Sequence, residues 1–429
     1  MYRVLSKKRI RSIFIYLFAN TCTIIESNSL HKKTSSYRRF IRHELLHFLL
    51  VDKRAARQIA NRPYSQQLST TAQTMPQLTE AAVLDALSYV DDPDLGKDLV
   101  TLKMIDRITI NGNTLRFRLT LTTPACPLKD QIKQACINAI HHFIGADISV
   151  EIDLDAQVTT RRKDASGILP HVKNIIAVAS GKGGVGKSTV AVNLAIGLAQ
   201  QGATVGLIDA DIYGPSIPVM LNLRRERPSV VDTPDGQKIV PLQQYGVKTL
   251  SIGFLSDETQ AVVWRGPMAS RALQQLITDA IWGELDYMII DLPPGTGDIH
   301  LTLVQTVPLT GAIVVTTPQE VAKADVVRAI GMFRLPQIGV PVLGIVENMA
   351  YFTPPDLPDR RYYLFGKDGG KHLADTYNVP LLGQIPIVEA IREGGDIGVP
   401  AVLDDSPAAT AFTELCTVAA RYIAIRNAK

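Results

Sequence analysis

The chain has 429 residues, 46% of them hydrophobic and 20% charged, with a formal net charge of +4. That suits two or three domains with a large core and excludes a low-complexity or disordered protein. The net charge hides an asymmetry: residues 1–62 hold 14 Lys/Arg against 3 Asp/Glu, so the remainder is net −7, which argues against general nucleic-acid binding by the folded part. Four cysteines (Cys22, Cys126, Cys136, Cys416) show no disulfide framework and suit a reducing, cytoplasmic setting.

Residues 1–74 differ from the rest. Residues 7–11 are basic and residues 13–25 mostly apolar, an imitation of a signal peptide that is too short and too polar to span a membrane. Translation is expected to start at or near Met75, leaving a tail outside the folded protein; a basic organelle presequence is the alternative. The tail contains His43-Glu44-Leu45-Leu46-His47, which on a helix could hold zinc with Glu44 as base. Without a third ligand it reads as a chance match.

Residues 75–155 read as a small α+β domain. Val83, Leu87 and Val90 share one face of an expected helix over 78–90. Strands over 102–110 and 114–122 flank Asn111-Gly112, a strong hairpin signal. A helix over 128–143 and a strand carrying Ile148, Val150, Ile152 and Leu154 complete an α-β-β-α-β order. Cys126 stands just before the second helix, whose N-terminus is expected to lower its pKa and expose a metal-binding thiolate. The plain alternative is an ordinary loop cysteine. Cys136 lies on an apolar helical face and reads as core. Residues 156–173 read as a linker, with Arg161-Arg162-Lys163 a solvated charge run.

Residues 174–429 alternate apolar strands and helices, the pattern of an α/β, mostly parallel sheet covered on both faces. The run Asn174-Ile-Ile-Ala-Val-Ala-Ser180 reads as a buried strand and residues 188–200 as a buried helix. Between them, Gly181-Lys182-Gly183-Gly184-Val185-Gly186-Lys187-Ser188-Thr189 fits G-x-x-x-x-G-K-[ST], the phosphate-binding loop. Its glycines let backbone N–H groups converge at a helix N-terminus. Lys187 would reach the β/γ-phosphates of ATP, and the Ser188 hydroxyl would ligate Mg²⁺. Ligands in such sheets sit at the carboxyl ends of strands. Asp209-Ala210-Asp211 ends one strand, and Asp291 ends another before Leu292-Pro293-Pro294-Gly295-Thr296-Gly297-Asp298. Asp291 fits the carboxylate that holds the water shell of Mg²⁺, and the loop after it could sense the γ-phosphate. Cys416 falls with Phe412, Leu415 and Ala419 on a C-terminal helix and reads as core. Residues 421–429 carry three basic residues, poor material for a membrane anchor.

Lys182, in K-G-G-x-G-K-[ST], resembles the signature lysine of the deviant-loop ATPases. The resemblance implies a homodimer in which Lys182 reaches the partner's phosphates. Trp264-Arg265-Gly266-Pro267-Met268, Ile391-Arg392-Glu393-Gly394-Gly395 and Asp209-Ala210-Asp211-Ile212-Tyr213-Gly214-Pro215-Ser216 resemble one branch, the Mrp/ApbC-type iron–sulfur cluster carrier ATPases. Asp92-Pro93-Asp94-Leu95 and Thr122-Thr123-Pro124-Ala125-Cys126-Pro127 resemble the iron–sulfur assembly domain often fused ahead of them. The resemblance covers about residues 75–425. It assigns Asp211 to orienting the attacking water and Asn348, in Val346-Glu347-Asn348-Met349, to adenine. It implies transfer of a 4Fe-4S cluster to apoproteins. The alternative is a dimeric ATP-switched positioning scaffold of the partition type. One departure matters: many members have Cys-x-x-Cys after Asn-Met, whereas here no cysteine occurs between Cys136 and Cys416. Cluster ligation then rests on Cys126 or on ligands not evident in the sequence.

Overall fold

The computed structural model describes residues 78–162, 167–234, 236–255, 266–295, 297–354 and 356–428. The tail with its H-E-x-x-H match lies outside these residues, as do Cys22, Trp264 and Arg265. Residues from Thr74 onward form one unit.

The unit opens with α1 (Glu80–Leu87), whose N-cap Thr79 accepts from the Ala82 N–H at 3.3 Å. The helix is shorter than expected, yet Val90 is still buried with Val83 and Leu87. Two short strands, β1 (Asp91–Asp92) and β2 (Lys97–Asp98), pair antiparallel. The hairpin forms as expected from β3 (Ile105–Asn111) and β4 (Thr114–Leu121). After α2 (Lys129–Phe143), β5 (Ser149–Ala156) joins β4 in parallel. Leu115, Phe117, Leu119, Cys136 and Ile140 are fully buried between sheet and helices.

The stretch after β5 is more than a linker. Val158 is buried in the core of the larger sheet. The Arg162 guanidinium donates to the carbonyls of Ile168 at 2.8 Å, Leu169 at 2.9 Å and Val172. Arg162 is therefore a clasp that fixes the entry to β6 (Val172–Ser180), not a solvated charge.

Next come α3 (Lys187–Gln200), β7 (Val205–Asp209), α4 (Ile217–Met220), a hairpin of β8 (Ser229–Thr233) and β9 (Gly236–Val240), β10 (Leu242–Gln244) and β11 (Val247–Ser251). They are followed by α5 (Gly266–Thr278), β12 (Leu285–Asp291), α6 (Asp298–Thr306), β13 (Gly311–Thr316), α7 (Glu320–Phe333) and β14 (Val342–Glu347). The chain closes with α8 (Gly369–Tyr377), β15 (Leu381–Gln384), α9 (Glu389–Ile397) and α10 (Pro407–Ala428). The eight-stranded sheet runs β10-β11-β7-β12-β6-β13-β14-β15, parallel except at β10. The connections from β6 leave toward β7 and those from β13 run the other way. The crevice of this doubly wound sheet therefore lies at the carboxyl end of β6. The strands β8 to β11 had no clear apolar pattern: β11 reads Val-Lys-Thr-Leu-Ser, yet Thr249 and Ser251 are fully buried.

Among the described residues only α10 has the length and apolarity to cross a membrane. Here it packs on α3, where a Cβ on Gly197 would stand 2.5 Å from Cys416 Sγ. Helix α10 also meets the small sheet's loops: Arg421 Nε donates to Asp94 Oδ1 at 2.7 Å. Close by, the Thr123 hydroxyl lies 3.4 Å from the Tyr287 hydroxyl of β12.

Candidate nucleotide-binding site

Strand β6 delivers the loop to the crevice and α3 begins at Lys187 with Gly186 as N-cap. Gly184 and Gly186 sit at φ +80° and +82°, where an L side chain is strained, so the chain can curl its N–H groups inward. Two other demands are steric. A Cβ on Gly181 would collide with the Asp325 backbone in α7, and one on Gly186 with the Asn348 amide. The loop is thus wedged between α7 and the residue after β14.

Lys187 is 6% exposed and its Nζ lies 2.7 Å from Asp291 Oδ1, 3.6 Å from Asp211 Oδ2 and 3.1 Å from Ser188 Oγ. The Ser188 hydroxyl donates to Asp291 Oδ2 at 2.5 Å. The structure thus brings Lys187, Ser188, Asp211 and Asp291 together, from three separate stretches of chain. Burial raises the Asp291 carboxyl pKa against the opposing pull of Lys187 and Ser188. Asp209 is fully buried beside them. Its Oδ2 accepts from Ser251 Oγ at 2.9 Å and the Ile217 N–H at 3.2 Å, and its Oδ1 from the Asp211 N–H at 3.2 Å. Burial first, then Asp291, push its carboxyl up to about 7. One lysine thus faces three acidic residues in a low-dielectric crevice. A divalent cation would relieve that excess of negative charge, so the donor set fits Mg²⁺.

Asn348 is buried and its Nδ2 donates to the Val185 carbonyl at 2.9 Å. One amide hydrogen is engaged on the loop; a second and the amide oxygen remain for a base edge. Met349, next along, is held at φ +54°. Beside Asn348 opens a cavity of about 610 Å³ lined by Gly186, Thr189, Met220, Phe365, Ile391 and Arg392, among others. Its place at the N-terminus of α3 and its apolar walls suit a nucleoside. A second cavity of about 630 Å³, lined by residues 167–172, 277, 278 and 280–283, lies at the amino end of β6, away from the phosphate loop, and touches none of these groups. Lys182 is exposed at the loop and makes no ion pair among the described residues; its carbonyl accepts from Ser180 Oγ at 2.9 Å.

Cys126 departs from expectation. Helix α2 starts three residues later with Leu128 as N-cap, and the thiol is half-buried between Asp92, Asp94, Pro127 and Arg421. Burial above all, with added repulsion from Asp92 and Asp94, raises its pKa instead of lowering it. The helix terminus contributes through the Leu128 N–H, and desolvation outweighs it. Cys136 and Cys416 are core, as expected, both pushed up to about 12 by burial. Among the described residues no three His, Cys, Asp or Glu could hold a metal ion by themselves, so a cation in the crevice would need Ser188 and ligand oxygens beside Asp291. Sequence reasoning missed His300, fully buried behind the loop that follows Asp291, and the Ser251 support of Asp209. His300 stands two residues past Asp298, beyond the glycine- and proline-rich motif that marks the loop.

Residues 171–420 match the family described as NUBPL iron-transfer P-loop NTPase. The chain belongs to that family. Residues 80–152 separately match the family described as iron-sulfur cluster assembly protein. This family member is 50% identical over 349 residues to an iron-sulfur cluster carrier protein of Synechocystis, covering 81% of this chain and 97% of that one. It is 42% identical over 365 residues to a chloroplastic Fe-S cluster assembly factor of Arabidopsis thaliana, covering 83% of this chain and 66% of that one. A solved nucleotide-binding protein from Archaeoglobus fulgidus in complex with ADP is 40% identical, covering 57% of this chain and 94% of that one, with a TM-score of 0.49.

Proposed function

We propose that this iron-transfer family NTPase hydrolyses ATP with Mg²⁺ and carries an iron–sulfur cluster, of 4Fe-4S type, to apoprotein recipients. Residues 75–155 serve as its assembly-type domain, 156–173 as the connection and 174–429 as the ATPase domain, with 1–74 outside the working enzyme. The observation that carries the reading is the convergence of Lys187, Ser188 and Asp291 under a glycine loop, in a chain whose family is iron transfer. The N–H groups of residues 183–189 bind phosphate oxygens, and Lys187 stabilises charge on the transferred phosphoryl group. Ser188 and the Asp291 carboxylate would hold Mg²⁺, which supplies charge neutralisation at the β- and γ-phosphates. Asp211 orients the attacking water and Asn348 meets the adenine edge.

Lys182, free at the surface, acts across a homodimer. The cluster is cargo, and Cys126 is the cysteine placed to meet it. Two symmetry-related Cys126 thiolates supply two of the usual four cysteine ligands, so a recipient or a small thiol completes the site and transfer is favoured over storage. The protein works in the cytoplasm. A partition-type scaffold would need a DNA or membrane surface, and the net −7 body offers neither kind of partner an attractive charge. Anaerobic reconstitution followed by iron and sulfide analysis tests the carrier reading. Bound cluster that an apoprotein removes on ATP addition is expected; a parent protein holding no iron or sulfide would reduce the assignment to a cluster-free ATPase.

A further inference from the structure

The segment that follows Asp291 is held from two sides. The Gly295 N–H donates to the Ser180 carbonyl at 3.0 Å, which ties the segment to the root of the phosphate loop. On the other side, the Pro293 carbonyl lies 3.3 Å from Nδ1 of His300, in the first turn of α6. A carbonyl only accepts, so Nδ1 carries the hydrogen and Nε2 is bare. Nε2 is buried and has no partner among the described residues, and the whole side chain is 1% exposed. The ring packs on Phe333 of α7, with centroids 5.8 Å apart. Helix α7 is also the element whose Asp325 backbone abuts Gly181. One imidazole thus joins the segment after Asp291 to the helix that wedges the phosphate loop.

Packing alone does not account for this residue. A phenyl ring would fill the same space without burying a bare acceptor, a group that costs stability wherever it goes unpaired. What the imidazole adds is one directed donor, aimed at Pro293. Burial also holds it neutral down to about pH 4, with the Lys187 charge adding to the effect, so the donor persists across the working range.

We propose that His300 is a positioning residue for hydrolysis: its Nδ1–H fixes the Pro293 carbonyl and so sets residues 292–295 against the phosphate loop, without touching the nucleotide. The proposal rests on the ATPase reading above. Three variants separate the donor from the packing. His300→Asn keeps an amide N–H near the Nδ1 position, His300→Gln moves it to the Nε2 end, and His300→Phe keeps the volume with no donor. Steady-state kcat and KM for ATP, binding of a fluorescent ATP analogue and Tm are measured for each. His300→Phe and His300→Gln are expected to lose about 10- to 100-fold in kcat, with nucleotide affinity within roughly twofold of the parent, as for a misplaced catalytic element. His300→Asn is expected to keep most of kcat. Parental kcat in His300→Phe, or equal loss in His300→Asn and His300→Gln at equal Tm, overturns the proposal. If His300→Phe fails to fold, the Asn and Gln pair decides by the same comparison. A parent that hydrolyses no ATP would overturn the ATPase reading and this proposal with it; active parent and unchanged variants sink this proposal alone.

Discussion

Lys187 and Cys126 are both withdrawn from water, with opposite consequences. Around Lys187 the buried neighbours are carboxylates, Asp291 at 2.7 Å and Asp211 at 3.6 Å, so burial costs are met by opposite charge and the ammonium is held in place. Around Cys126 the neighbours are Asp92 and Asp94, and burial and their charge both disfavour the thiolate. Arg421, the one cation beside it among the described residues, is already engaged by Asp94 at 2.7 Å. The loop is therefore built in advance for a ligand's charge, whereas the thiol is sheltered in a form that does not bind metal. Cargo loading at Cys126 would need the contacts of Asp94 and Thr123 with the larger sheet's elements to loosen first, while phosphate binding needs no such step.

Breaking the prearranged side gives the largest effect. Lys187→Ala removes the buried cation and leaves Asp291, Asp211 and Asp209 facing one another, and ATP turnover should fall by at least about a hundredfold. Nucleotide binding by the exposed Lys182→Ala variant should survive while its hydrolysis falls. Mixing the two variants then tests action in trans: in a mixed dimer one site lacks both lysines and the other keeps both. Partial recovery of steady-state ATPase rate is expected, and rates no better than the sum of the two parents would exclude a shared site.

The difference between the two regions follows how far each was legible in the sequence. Gly181 to Thr189 announced itself because phosphate chemistry needs fixed spacing along a single turn, and the strands ending at Asp209 and Asp291 were apolar enough to be found without pairing information. The structure brings Lys187, Ser188, Asp211 and Asp291 into one crevice. Cys126 misled because its helix N-terminus is a local signal, while the burial that overrules it comes from Arg421 and α10, almost three hundred residues away in sequence. Strand β11 was invisible for a related reason: Thr249 and Ser251 look like surface residues until Ser251 is seen donating to Asp209. Arg162 likewise looked solvated because the carbonyls it clasps cannot be seen from composition.

Sharpening the cysteine side gives a smaller, graded effect. With iodoacetamide and peptide mapping to separate the sites, Cys126 should label before Cys136 and Cys416, which stay protected until the protein unfolds. Asp94→Asn removes a nearby negative charge and frees Arg421, so Cys126 labelling should quicken by about 3- to 10-fold, as a pKa fall of up to one unit would produce. An unchanged rate would show that the thiol is governed by burial alone and that the Asp94–Arg421 contact does not restrain it.

The smallest expected effect lies behind the phosphate loop and concerns stability. His300 has a folded pKa lowered from 6.5 to about 4, by burial first and by the Lys187 charge as well. In the unfolded chain it titrates at its ordinary value. Between those two pH values the unfolded state takes up a proton that the folded state refuses, so stability rises with pH across that window. The contribution is fully present above pH 6.5 and is lost as pH falls toward 4, amounting to about 3 kcal/mol from the size of the shift. Neighbouring carboxylates add their own slopes, so the test is a difference. Urea unfolding of the parent and of His300→Asn at intervals from pH 7 to pH 4.5 should show the variant's stability falling less steeply with acid. Parallel curves would mean that His300 is solvated or paired in solution, and the buried bare nitrogen seen here would not describe the working protein.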